Sequence, residues 1–393
     1  MGSATRIRAA AIGAAAVAVA TALAALPASA SPATGTVYHA GSGTAVDGSY
    51  LVVLRDGRVD HGRATALTAR YGGGVTRVYG HAVPGYAANL TAAQAARLAA
   101  DPAVDRVEAD QVVRVADTQA YPPSWGLDRI DQRQLPLNAS YEYGPSAGVT
   151  VYVIDTGVRI NHPDFGGRAA YGYDAVDGDS TAQDGNGHGT FVAGVAAGAR
   201  FGVAKSARIV AVRVLDDNGS GTTAGVIAGI DWVTEHAAPG ESVANLSLSG
   251  GVSPTLDAAV LRSIDAGITY TIAAGNAGAD AANASPARVG EALTVGATDR
   301  TDTRPSWSNY GSAVDLFAPG VDITSDWRTA GTYTASGTSF SAPHVAGAAA
   351  LYLDAHPGAT PETVEAAITA AATAGAVADP GTGSPNLLLY TGS

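Results

Sequence analysis

Five short apolar runs recur along the C-terminal two thirds of the chain: VTVYVID (149–155), RIVAVRVL (208–215), SVANLSL (242–248), GITYTIAAG (267–275) and EALTVGAT (291–298). They are rich in β-branched residues and continuous rather than alternating, as strands covered on both faces should be. Stretches of helical spacing fall between and after them, near 188–199, 222–236, 254–265, 339–355 and 361–373. A β and α alternation of this kind predicts an α/β fold, with a mostly parallel central sheet and helices on both faces.

The pattern upstream is different. SYLVVLRDG (49–57) reads as a strand, 61–70 as a helix, VTRVYGHAVPGYAANL (75–90) as extended chain, TAAQAARLAADP (91–102) as a helix and AVDRVEADQVVRV (103–115) as a last strand. That β-α-β-β-α-β order outlines a small α+β module of ferredoxin-like type. The stretch ADTQAYPPSWG (116–126) has prolines and no apolar period, as expected of a cleavable linker. At the start, Arg6 and Arg8 precede an Ala-rich run from Ala9 to Leu26 and an A-x-A site at Ala28-Ser29-Ala30. This is the form of a signal peptide; the rival is an uncleaved anchor, but alanine gives little hydrophobic drive. The expected division is therefore 1–30 leader, 31–116 upstream segment with its module at 49–115, and 117–393 main domain.

Composition narrows the class. With 46% hydrophobic residues in 393, the chain can fill a large core. It carries a net charge of −12, Lys205 is its one lysine, and its arginines form no basic run. Nucleic acid is excluded as a partner on those grounds, because phosphate binding needs clustered positive charge. Cysteine is absent, so durability outside a cell would rest on packing and bound ions rather than disulfides.

Candidate chemistry sits in three glycine-rich segments at the ends of apolar runs: VYVIDTGV (151–158), GNGHGTFVAG (185–194) and SGTSFSAPHVAG (336–347). They supply Asp155, His188 and Ser339. A serine hydroxyl becomes a useful nucleophile when a neutral imidazole takes its proton and a carboxylate holds that imidazole's tautomer. Each residue alone has a bland reading: a turn aspartate, a turn histidine and a helix cap. Metal binding by His188 is disfavoured, since no second histidine follows at four-residue spacing. Pro343 is expected in the first turn of the helix that Ser339 opens, where a missing N–H costs least.

The chain order Asp, His, Ser, together with WGLDRIDQR (125–133), VRVLDDNGSG (212–221), NLSLSGG (245–251), AAGN (273–276), SNYGS (308–312) and PNLLLY (385–390), resembles the subtilisin-like serine peptidases, in particular the proteinase K and aqualysin branch. The resemblance runs from about Trp125 to Tyr390 and implies a secreted, monomeric serine endopeptidase made as a precursor. The upstream module resembles the inhibitory pro-domain of that family, acting on its own peptidase domain; a permanently attached domain is the alternative. Protein and peptide substrates are implied, with no cofactor for catalysis and no lasting membrane association once the leader is gone. By the same resemblance Asn276 and the Ser339 amide form the oxyanion hole. Gly219-Ser220-Gly221 and Ser247-Leu248-Ser249 would pair with the substrate backbone, and Ala273-Ala274-Gly275 would wall the first side-chain pocket, favouring apolar or aromatic residues. Structural calcium is implied at Asp315 with the carbonyls of Gly290 and Ala292, and at Asp128, Asp131 and Gln132. The chain departs from the family pattern at Phe191, at Ser341-Ala342, and at Thr223, where an outer pocket usually has a tyrosine.

Three other readings are weighed. GSGTTA (219–224) fits a dinucleotide fingerprint but lacks its distal acidic residue. GPSAG (144–148) fits an esterase elbow but precedes a strand instead of following one. A catalytically dead homologue acting as a binding protein would not need the full triad.

Overall fold

The computed structural model describes residues 33–40, 45–55, 59–79, 83–111 and 117–392; the leader and residues 112–116 lie outside the described residues. The chain divides into two compact units, Met1–Gln111 and Val112–Ser393.

In the first unit the elements are β1 (Val37–Tyr38), β2 (Ala45–Leu54), α1 (His61–Ala69), β3 (Gly74–Tyr79), β4 (Gly85–Asn89), α2 (Ala92–Ala99) and β5 (Val104–Gln111). They form one sheet in the order β1-β5-β2-β4-β3, with β2 antiparallel to both its neighbours. Tyr50, Val52 and Leu54 alternate along β2 into a core shared with Leu67 of α1 and Leu98 of α2. Thr91 caps α2 in a reciprocal box with Gln94, which fixes where that helix starts. The order is the ferredoxin-like one predicted, with β1 added at the edge.

The second unit contains β6 (Asp117–Ala120), α3 (Trp125–Ile130), β7 (Ser140–Tyr143), β8 (Thr150–Asp155), β9 (Ala169–Asp174), α4 (His188–Ala197), β10 (Arg208–Arg213), α5 (Thr223–His236), β11 (Ser242–Leu246), α6 (Pro254–Asp265), β12 (Thr269–Ala273), β13 (Leu293–Thr298), β14 (Leu316–Pro319), β15 (Ile323–Asp326), β16 (Thr332–Ala335), α7 (Thr338–Ala355), α8 (Pro361–Ala371), β17 (Thr373–Ala374) and β18 (Leu387–Leu388). The main sheet runs β17-β18-β14-β13-β12-β11-β8-β10-β9 and is parallel throughout except for the β17–β18 pair. α4, α7 and α8 cover one face and α5 and α6 the other, each face with its own core. All five predicted strands are present. β9 and β14 add to the sheet unannounced by long apolar runs, β9 because it is a partly exposed edge and β14 because it is only four residues long.

Two expectations are corrected. The stretch taken as a linker from 116 begins with ordered sheet, since Asp117–Ala120 pairs antiparallel with Ser140–Tyr143. Pro343 is the sixth residue of α7, not part of its first turn, because the helix starts at Thr338.

The chain leaves β8 for β9 and β10 on one side and then crosses to β11 on the other. The carboxyl end of β8 is therefore the switch point where open α/β sheets leave a crevice.

Candidate active site

Asp155 is the last residue of β8 and is fully buried at that crevice. Its Oδ1 accepts hydrogen bonds from Thr156 N and from His188 Nδ1, each at 2.7 Å, while Oδ2 has no partner among the described residues. A carboxylate can only accept, so the Nδ1 of His188 carries the proton and Nε2 keeps a lone pair, the tautomer a general base needs. The main-chain oxygen of Asp155 accepts from both Val214 and Leu215, which ends β10 at Arg213 and turns the next loop over the crevice.

His188 opens α4, and the loop before it is tied by Asp184, a residue the sequence reading passed over. Asp184 Oδ1 accepts from Thr156 Oγ1, Asn186 N and Gly187 N, and Oδ2 accepts from Thr190 N and Oγ1. Gly187 is obligatory there: its φ is +118°, and a Cβ would lie 2.5 Å from the Trp327 ring. The His188 side chain is 26% exposed, at the cleft. Burial lowers its pKa, but the Asp155 charge and hydrogen bond, with Asp184 further off, outweigh that and hold it above the ordinary value. His344, on α7, is the contrasting case: fully enclosed, donating to Phe340 O and pushed down to about 4 by burial, it is a core histidine.

Ser339 is the second residue of α7. Its Oγ donates to Ser247 O at 3.2 Å, and Ser247 Oγ donates back to Ser339 O at 2.7 Å. Pro343 explains the second bond: in a regular helix its N–H would serve the carbonyl four residues back, which is that of Ser339. Ser247 replaces the missing donor, so the end of β11 is fastened to the serine. The serine hydroxyl donates to Ser247 O rather than to the imidazole; in unliganded sites such catalytic bonds are often long or poorly aligned and tighten when substrate binds.

Asn276 lies just beyond β12. Its Oδ1 accepts from both Thr338 N and Thr338 Oγ1 at 2.9 Å, which commits the oxygen and leaves the amide NH₂ for the cleft. Thr338 was also missed; its Oγ1 accepts in turn from Gly275 N. A cleft of about 590 Å³ joins these groups, lined by His188, Ser339, Asn276, Gly219, Ser220, Gly221, Ser247, Leu248, Ser249, Ala273 and Gly275. Ala274, expected as a wall of it, instead turns into the core under α5 and α6, as the two-residue alternation of extended chain requires. Ser220 has both main-chain groups tied to Asp216, which leaves the Gly219 carbonyl and the main chain of Gly221 as the open edge. Thr223 lines the cleft beside Leu215, Val226 and Leu256, apolar residues the sequence reading did not single out. Among the described residues no carboxylate or basic side chain other than His188 lines it. Ser146 of the esterase-like motif is fully buried and bonded to Ser206 Oγ, far from serving as a nucleophile.

The two calcium sets differ. Asp315 Oδ2 accepts from Thr294 N, and burial, reinforced by Glu365, pushes its pKa up to about 7. A partly buried carboxyl with a like-charged neighbour is an oxygen ligand of the kind a hard cation takes. At the second set, both Asp128 oxygens accept from Asn138 N and Ala139 N, and Gln132 Oε1 accepts from Asn138 N, so these two brace a loop. Asp131 alone keeps a buried oxygen without a partner, and burial pushes it to about 6. Among the described residues no group of three or more acidic or imidazole side chains is placed to hold a metal, so either site would need main-chain carbonyls.

A base oriented by a buried carboxylate, beside a serine at a helix start, places this cleft among the serine hydrolases built on α/β scaffolds. Residues 146–386 match the Subtilase family and residues 49–116 match Peptidase inhibitor I9. An "Extracellular serine proteinase" of Thermus sp. (strain Rt41A) is 53% identical, over 81% of this chain and 78% of that protein. A "Cuticle-degrading serine protease" of Arthrobotrys oligospora is 42% identical, over 91% of this chain and 93% of that one. A solved structure of a cold adapted subtilisin-like serine proteinase superposes with a TM-score of 0.67 at 53% identity, covering 68% of this chain and 98% of its own. The chain belongs to the subtilase family and is a subtilisin-like serine endopeptidase with an I9-type pro-domain.

Proposed function

We propose that the protein is exported, releases its pro-domain near Ala116 by its own activity and then hydrolyses proteins through an acyl-enzyme. The observation that carries this is the 2.7 Å bond from His188 to the buried Asp155 in the same cleft as Ser339. Ser339 Oγ attacks the scissile carbonyl while its proton passes to His188 Nε2; the C–N bond then breaks and that proton leaves on the amine. Water repeats the sequence and frees the acid. The Asn276 amide and the Ser339 N–H face the oxygen that gains charge, the latter aided by the helix start. A substrate strand would lie between the Gly219–Gly221 and Ser247–Ser249 edges. The small uncharged pocket around Ala273 and Gly275 favours apolar or aromatic residues before the cut, and Leu215, Val226 and Leu256 offer a second apolar subsite. Calcium held by Asp315 with the Gly290 and Ala292 carbonyls, and by Asp131 beside Asp128, would act on stability and take no part in the reaction.

Self-processing is tested with Ser339→Ala, which should accumulate as a precursor retaining residues 31–116. Mature-size protein from that variant would assign the cut to another protease.

A further inference from the structure

Phe191, where the sequence leaves the family pattern, lies three residues after His188 on α4, and Phe340 adjoins Ser339 on α7. Their rings are 4.3 Å apart, and the Phe340 ring is 5.5 Å from the His188 imidazole, tilted by 46°. Phe191 also meets Trp327 edge-on at 6.5 Å, and Trp327 packs against Gly187, the residue before the histidine. Trp125, Val195 and Ile323 close the cluster, in which Phe191 is wholly and Phe340 almost wholly buried. Asp155 holds the imidazole at one atom, Nδ1, and a single hydrogen bond leaves the ring free to swing about it. The tilted Phe340 ring packed against the imidazole limits that swing.

We propose that Phe191 and Phe340 form a clamp between the two helices: positioning residues that set how far His188 Nε2 stands from Ser339 Oγ. The proposal rests on the reading of those two as base and nucleophile. Because the contact joins the helix of the base to the helix of the nucleophile, loss of either ring should loosen the same distance. A misplacement of about 1 Å can cost about 10² in rate, so even a partial loosening is measurable. The charged groups that face the imidazole are Asp155 from β8 and Asp184 from the loop before α4, and neither is touched by these changes.

The test is Phe191→Leu, Phe340→Leu and the double variant, assayed on a small peptide amide and normalised by fluorophosphonate titration so that unfolded protein does not count. Each single change should lower kcat about tenfold with KM unchanged, and the double variant should be no worse than the poorer single one. In Phe340→Leu the acid limb of kcat/KM should move to higher pH as water reaches the imidazolium, and Phe340→Tyr, which keeps the ring, should restore kcat. Losses that multiply in the double variant, or an unchanged kcat with only a lower Tm, overturn the clamp and leave the triad standing. A wild-type enzyme whose Ser339 takes no label overturns both.

Discussion

Individual residues divide into those that react and those that aim them. Asn276 can serve an oxyanion because Thr338 fixes which end of its amide faces the cleft. Asn276→Ala should lower turnover by about 10²–10³, a magnitude carried over from measurement on a subtilisin rather than derived, while Ser339 still takes a fluorophosphonate. Thr338→Val keeps the main-chain bond but loses the hydroxyl, and about a tenfold part of that loss is expected, read in kcat at constant KM. The acid limb of activity should lie above the ordinary histidine value of about 6.5, since Asp155 holds the His188 proton and the base must be neutral to act. A limb at or below that value would show that the imidazole is not paired in solution. Asp155, His188 and Ser339 were legible because glycines mark where backbone approaches a site. Thr338 and Asp184 were not, and Ser247 was read as a substrate edge without its bond to Ser339 O: the partners lie far off in sequence, and no local pattern announces a hydrogen bond to Asn276, to the His188 loop or to a carbonyl orphaned by Pro343.

At the scale of elements, the far end of α4 holds a feature with a pH signature. Asp326, at the end of β15, is 1% exposed, and among the described residues neither of its oxygens has a hydrogen-bond donor. Its Oδ2 and that of Asp164 converge over Gly198, where a Cβ would lie 3.0 and 2.4 Å from them. Asp164 is engaged by Arg200 N, and His162 Nδ1 stands 3.5 Å from Asp326 Oδ1. Two acceptor-only groups in contact need a shared proton, and burial first, then the Asp164 charge, push Asp326 up to about 9. A folded pKa above the unfolded value of about 3.9 means stability that is complete in acid and is lost as pH rises from about 4 to about 9. Asp326→Asn, whose amide can donate to Asp164 without a titrating proton, should flatten that part of the Tm–pH curve; a curve parallel to wild type would refute the pairing. Strands β8, β10, β11, β12 and β13 were legible because both their faces are buried, whereas β15 is only four residues long, half of them polar and buried, and its partner β16 is largely exposed, so neither shows an apolar run.

For the whole molecule, the absence of cysteine leaves no disulfide to hold the fold, so its stability rests on packing and, in the proposed reading, on bound calcium. Asp315, pushed up to about 7 by burial, weakens the fold as pH rises from about 4 to 7 unless a cation offsets its charge. Calcium should therefore raise Tm, more at pH 8 than at pH 5, and Asp315→Asn should remove most of the effect; a Tm indifferent to chelator would remove calcium from the account. The order of units was legible because each has its own period, while β6 was not, because a four-residue polar strand paired with a distant segment carries no apolar run. The claim on which all else depends is that Ser339 is the nucleophile of one triad with His188 and Asp155. Peptide mapping of the secreted enzyme after fluorophosphonate inactivation tests it most directly: the account predicts one label per molecule, on Ser339, absent in His188→Ala, whereas full inactivation with the label on another residue would contradict it.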